Sequence, residues 1–98
     1  MSNASTSSGL KVASGAIMTM PGKLMGLQGL ADNTNAATII VYDSPDAASG
    51  VVLAKIVVDA TTTYEDAHIP DGGIAANQGL YLSISGTGAE AVVWFQLG

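Results

Sequence analysis

Residues 37–59 read ATIIVYDSPDAASGVVLAKIVVD. The run Thr38-Ile39-Ile40-Val41-Tyr42 is β-branched and aromatic, which suits a pleated, half-buried surface. Asp43-Ser44-Pro45-Asp46 ends it, because proline lacks a ladder donor and Asp and Ser bond their own backbone. Ala47 to Gly50 complete a loop of hairpin type. From Val51 to Asp59 the pattern is again that of a strand. Val52, Ala54, Ile56 and Val58 are expected on one apolar face, with Val51, Leu53, Lys55, Val57 and Asp59 on the other.

The same punctuation continues on both sides. Upstream, Ala16 to Met20 stop at the turn pair Pro21-Gly22, and Lys23 to Leu30 form a run with Gly26 and Gly29 inside it. A loop of Asp32, Asn33, Thr34 and Asn35 follows. Downstream, Thr61 to Asp66 form a polar extended run and Pro70-Asp71-Gly72-Gly73 a turn. Leu80, Leu82 and Ile84 alternate with Tyr81, Ser83 and Ser85. Gly86-Thr87-Gly88 is a hairpin turn, and Glu90 to Leu97 is a last strand, apolar on both faces. No helical periodicity of useful length occurs. Short strands at this spacing predict an all-β protein, a single small antiparallel sandwich of jelly-roll type with seven or eight strands. Residues 1–9 lack periodicity and are expected to be an N-terminal arm, removable without loss of the fold. Residues 10–98 are expected to be the sandwich.

The chain has 98 residues, hence one domain, and no cysteine, hence no disulfide or thiolate site. Ala, Gly, Ser and Thr supply 44 of the 98 residues, and charged residues only 11%. Lys11, Lys23 and Lys55 are the only strong cations, against eight acids and a net charge of −5. Three scattered lysines cannot neutralise a phosphate backbone or an anionic bilayer surface, so no nucleic-acid or membrane partner is expected. No apolar run reaches the ~20 residues of a membrane span, and the first ten residues lack the pattern of a signal peptide. A surface of small neutral groups favours association with other protein surfaces.

Groups that could carry chemistry are sparse. His68 is the single histidine, close to Glu65 and Asp66 in sequence, and no G-x-S-x-G elbow accompanies it. The carboxylates Asp43, Asp46, Asp59, Glu65, Asp66 and Asp71 sit at strand ends and turns, where Asp is favoured for local hydrogen bonds. Asp32, Asn33 and Asn35, or Asp43 with Asp46, offer oxygen ligands of the kind calcium takes, but without the spacing of a calcium loop. Tyr42, Tyr64, Tyr81 and Trp94 are candidates for a sugar-stacking platform. The expectation is a non-enzymatic protein with no catalytic residue, metal or cofactor. The expected contact elements are the arm with its continuation (residues 2–12) and the terminal strand, and the candidate interface residues on them are Leu10, Val12, Trp94, Phe95 and Leu97.

Gly22-Lys23-Leu24-Met25-Gly26-Leu27 followed by Ala37-Thr38-Ile39-Ile40-Val41-Tyr42-Asp43 resembles the pattern G-x-L-x-G-I … a-T-V-x-V-Y-D. That pattern belongs to small β-sandwich proteins encoded among the virion genes of tailed bacteriophages. Gly50-Val51-Val52-Leu53-Ala54, Gly72-Gly73-Ile74-Ala75 and the run from Gly79 to Ala89 are similar to further motifs of that family, and the likeness spans residues 15–97. The resemblance implies a capsid decoration (cement) protein on the outer surface of the head, or a head-fibre or tail-attached domain. It further implies the virion as the location, the major capsid protein or another virion protein as a partner, and self-association as a homotrimer or a dimer. A receptor- or glycan-binding domain of a tail or head fibre is the alternative reading.

Overall fold

Residues 5–97 are described by the structure, a computed structural model. They form nine strands and no helix: β1 (Thr6–Lys11), β2 (Gly15–Met18), β3 (Gly22–Leu30), β4 (Ala37–Asp43), β5 (Val51–Val58), β6 (Tyr64–Asp66), β7 (Ile74–Ala76), β8 (Leu80–Ser85) and β9 (Glu90–Leu97). Sheet A runs β1-β9-β3-β6, with β7 pairing the same side of β3 as a second short edge piece. Sheet B runs β2-β8-β4-β5. All pairings are antiparallel.

With β7 set aside, the pairs β4·β5, β3·β6, β2·β8 and β1·β9 enclose one another along the chain. One long hairpin has been rolled so that alternate segments fall in opposite sheets. That is the winding of a jelly roll. Nine strands are one more than the upper end of the expected seven or eight, and β1 and β7 are the strands the sequence did not single out.

The core lies between the sheets. Leu24, Leu27, Ala91 and Val93 from sheet A face Ile39, Val41, Leu80, Leu82 and Val58 from sheet B. The sheets approach closely at Gly29, where an added Cβ would stand 2.8 Å from Ile39 Cγ1 and 2.9 Å from Ile56 Cδ1. The glycine inside β3 is therefore a packing requirement, in keeping with close approach of another layer.

A bulge in β5 corrects the expected faces of two residues, Val52 and Leu53. In β5 the register with β4 shifts between Val41 and Tyr42, leaving Leu53 as the extra residue. Ala54, Ile56 and Val58 stay on the inner face. Val52, expected beside them, pairs with outward Tyr42 and is exposed, while Leu53 packs against the core. A bulge changes the parity of the two-residue repeat, so one strand presents different faces on its two sides.

The expected arm is the second correction. Its boundary at Gly9 lies inside β1, which begins at Thr6. Thr6 and Ser7 pair with Phe95 and Trp94, and Ser8 Oγ accepts a hydrogen bond from the Val93 N–H at 3.0 Å. β9 is central in sheet A, so its ladder groups on the side away from β3 need a partner, and β1 supplies it. Residues 1–4 of the expected arm lie outside the described residues.

Candidate functional site

The alternation along β9 separates the five candidate interface residues. Trp94 points outward from sheet A, opposite Gly26, whose absent Cβ leaves room for the indole: a Cβ there would stand 3.2 Å from Trp94 Cε3. Leu10 shares this outer face. It pairs with Val92, two residues from Trp94, and is 57% exposed. Leu10, Val92 and Trp94 thus form a contiguous apolar row, with Leu30 and exposed Tyr64 farther across the same face.

The other three candidates fall elsewhere. Phe95 points inward, pairs with Thr6 and Leu24, and packs against the core. It also lines a shallow hollow of about 220 Å³ with Ser7, Ser8, Lys11, Ala16 and Ile17, where the β1 and β2 edges of the two sheets face each other. Leu97 ends β9 opposite Gly22, exposed and at the far end of the strand from the Leu10 pairing. Val12 lies in the β1–β2 connection and is exposed. The structure brings Leu10 and Trp94 together on one surface and leaves Val12, Phe95 and Leu97 apart from it.

The aromatic candidates for a sugar platform divide in the same way. Tyr42 and Tyr81 are directly paired on the outer face of sheet B, flanked by Val52 and Ala16 in one transverse row. Tyr64 and Trp94 are on the outer face of sheet A, the opposite side of the sandwich. Residues 10 and 94 were legible as apolar surface groups from the sequence, but the β5 edge was not. Val51, Val52 and Val57 are exposed there. The signal was present in the apolar run around Lys55, but edge position depends on strand order, which the run does not contain.

Two of the carboxylates, Asp43 and Asp32, accept hydrogen bonds that hold local backbone. Asp43, at the end of β4, is buried, and its oxygens accept backbone N–H bonds from Gln78 at 2.8 Å, Asn77 at 3.0 Å and Gly79 at 3.4 Å. Burial desolvates this carboxyl and pushes its pKa up, but the N–H groups of Gln78, Asn77 and Gly79 outweigh that and hold it below the ordinary value. Asp32 accepts from the backbone N–H groups of Asn35 and Thr34 and from Asn35 Nδ2, closing its own loop; these bonds, the Asn35 backbone bond foremost, lower its pKa. Both carboxylates are thus turned toward N–H donors. Exposed His68 stands in the β6–β7 connection. Among the described residues no group of three or more His, Cys, Asp or Glu is placed to hold a metal ion. No protein-family model, curated protein or solved structure matches this chain.

Proposed function

We propose that this chain is a structural virion protein of a tailed bacteriophage, a capsid decoration (cement) protein that binds the outer surface of the head and stabilises it. Its partners are the major capsid protein, or another virion protein, and further copies of itself. The observation that carries this reading is the apolar row Leu10, Val92 and Trp94 on the outer face of sheet A. Contiguous apolar surface on a small domain marks a protein contact, and an indole seated over a glycine is a rigid anchor of the kind that dominates interfaces. The low charge of the chain and the strand motifs at residues 22–27, 37–43 and 79–89 support the same reading.

The test is co-sedimentation of the pure protein with heads assembled from the major capsid protein of the same virus. Saturable binding and a higher temperature of head disruption are expected. Leu10→Ser and Trp94→Ser, each checked for an unchanged far-ultraviolet spectrum, should weaken binding by about tenfold or more, as loss of an interface anchor does. Absence of saturable binding by the unaltered protein would reject the reading. The outward pair Tyr42–Tyr81 favours a second one, a glycan- or receptor-binding domain of a fibre. Binding on a glycan array that Tyr81→Ala abolishes would support it.

A further inference from the structure

The sandwich has four strand positions at its edges, and three of them are blunted. β1 and β2 are interrupted by bulges, and β6 and β7 are three residues each. Short or bulged edges resist the addition of a further strand. β5 is different. It spans eight residues, pairs within the described residues only with β4, and keeps a regular ladder from Ala54 to Val58, beyond the bulge at Leu53. Its outer face there carries Lys55 and exposed Val57, followed immediately by exposed Asp59. An unpaired strand of this length is a template for β-addition.

We propose that β5 pairs antiparallel with β5 of a second copy of this chain, about a two-fold axis at Val57. The register follows from elimination. Inner residues must meet inner residues, because a one-residue slip would turn core side chains outward. Among the two-fold registers that satisfy this, an axis at Lys55 opposes two ammonium groups. An axis at Ile56 sets Lys55 against Val57, and an axis at Val58 sets Val57 against Asp59. Only the axis at Val57 places Lys55 of each copy opposite Asp59 of the other, on both sides of a central Val57–Val57 contact. Opposite charges directly across a strand pair stabilise it, and like charges destabilise it. On the inner face the same register brings Ile56 beside Val58 of the second copy. The two sheets B join into one eight-stranded sheet, and the partner covers Val57, which is 52% exposed in the monomer. Such isologous contacts are the commonest form of self-association.

The proposal is independent of what the protein decorates, because it concerns the pure protein alone. Sedimentation equilibrium of the full chain across the micromolar range should show a monomer–dimer equilibrium. Lys55→Glu and Asp59→Lys each oppose like charges in two symmetric pairs and should weaken the dimer by about tenfold or more. The double variant K55E/D59K reverses both partners and should restore wild-type dimerisation. Lys55→Ser and Asp59→Ser, which remove a charge instead of reversing it, should weaken the dimer by a smaller factor. Circular dichroism confirms folding, since both positions are exposed. A wild-type protein that stays monomeric or forms trimers overturns the proposal. So do single swaps that leave the dimer intact, or a folded double swap that fails to restore it. Loss of head binding with the dimer retained would reject only the decoration reading.

Discussion

Asp43 ties two distant parts of the chain together. Its carboxylate ends β4 and collects the N–H groups of residues 77–79, which lead from β7 into β8. Those donors are left without acceptors if the carboxylate is removed. Hydrogen bonds to a buried charged group contribute roughly 1.5–3 kcal/mol, and Asp43→Ala should cost about that much in urea unfolding at neutral pH. The sign of the pH dependence follows from the lowered pKa. A carboxyl with a folded-state pKa below the unfolded value of about 3.9 contributes its full stabilisation above that value and loses it as pH falls through the folded pKa. The stability difference between wild type and Asp43→Asn should therefore be constant near neutrality and shrink as the pH drops below the unfolded value of about 3.9. A difference that grows on acidification would show that the carboxyl is instead held neutral in the fold.

At the scale of elements, β5 and β8 were legible because their apolar residues recur with the two-residue period of a pleat, and β4 and β9 because they are continuous β-branched and aromatic runs. β1 was not, since Thr6-Ser7-Ser8-Gly9 has no apolar member and is extended because β9 needs a partner. A tertiary demand overrides local preference there. The bulge at Leu53 was hidden for a related reason: residues 51–58 alternate acceptably in either parity, and only pairing with β4 chooses between them. The outward apolar row was half legible. Leu10 and Trp94 stand out by residue type, but their common face requires the β1–β9 register. These pairings make truncation informative. A chain starting at Ser5 keeps every described contact of β1. A chain starting at Leu10 loses the Thr6 and Ser7 pairings and the Ser8–Val93 bond. The second truncation should lose at least about 1 kcal/mol, seen calorimetrically as a fall in Tm of roughly 4–8 °C, and the first should not. Equal Tm values for both would mean that residues 6–9 contribute nothing to the stability of the fold.

For the whole molecule, the nested winding orders the costs of folding. The β4·β5 hairpin joins Ala37 to Val58, whereas the outermost pair joins Thr6 to Phe95. Closing a longer loop costs more chain entropy, and that cost precedes the contacts that repay it. The inner hairpin is therefore the cheapest nucleus, and β9 can add only once β3 is in place beside it. A sandwich dominated by such non-local pairs should fold on the scale of about milliseconds to seconds. Buried Val41 in β4 and buried Val93 in β9 separate the two stages. Val41→Ala and Val93→Ala should each destabilise by about 1–3 kcal/mol, enough for a reliable partition between rates. Val41→Ala should act mainly by slowing folding, and Val93→Ala mainly by speeding unfolding. Stopped-flow measurement of both limbs, followed by the fluorescence of Trp94, distinguishes this order from its reverse. If Val93→Ala instead slowed folding while Val41→Ala left it unchanged, the chain ends would have to meet first, and the rolled hairpin would close from the outside inward.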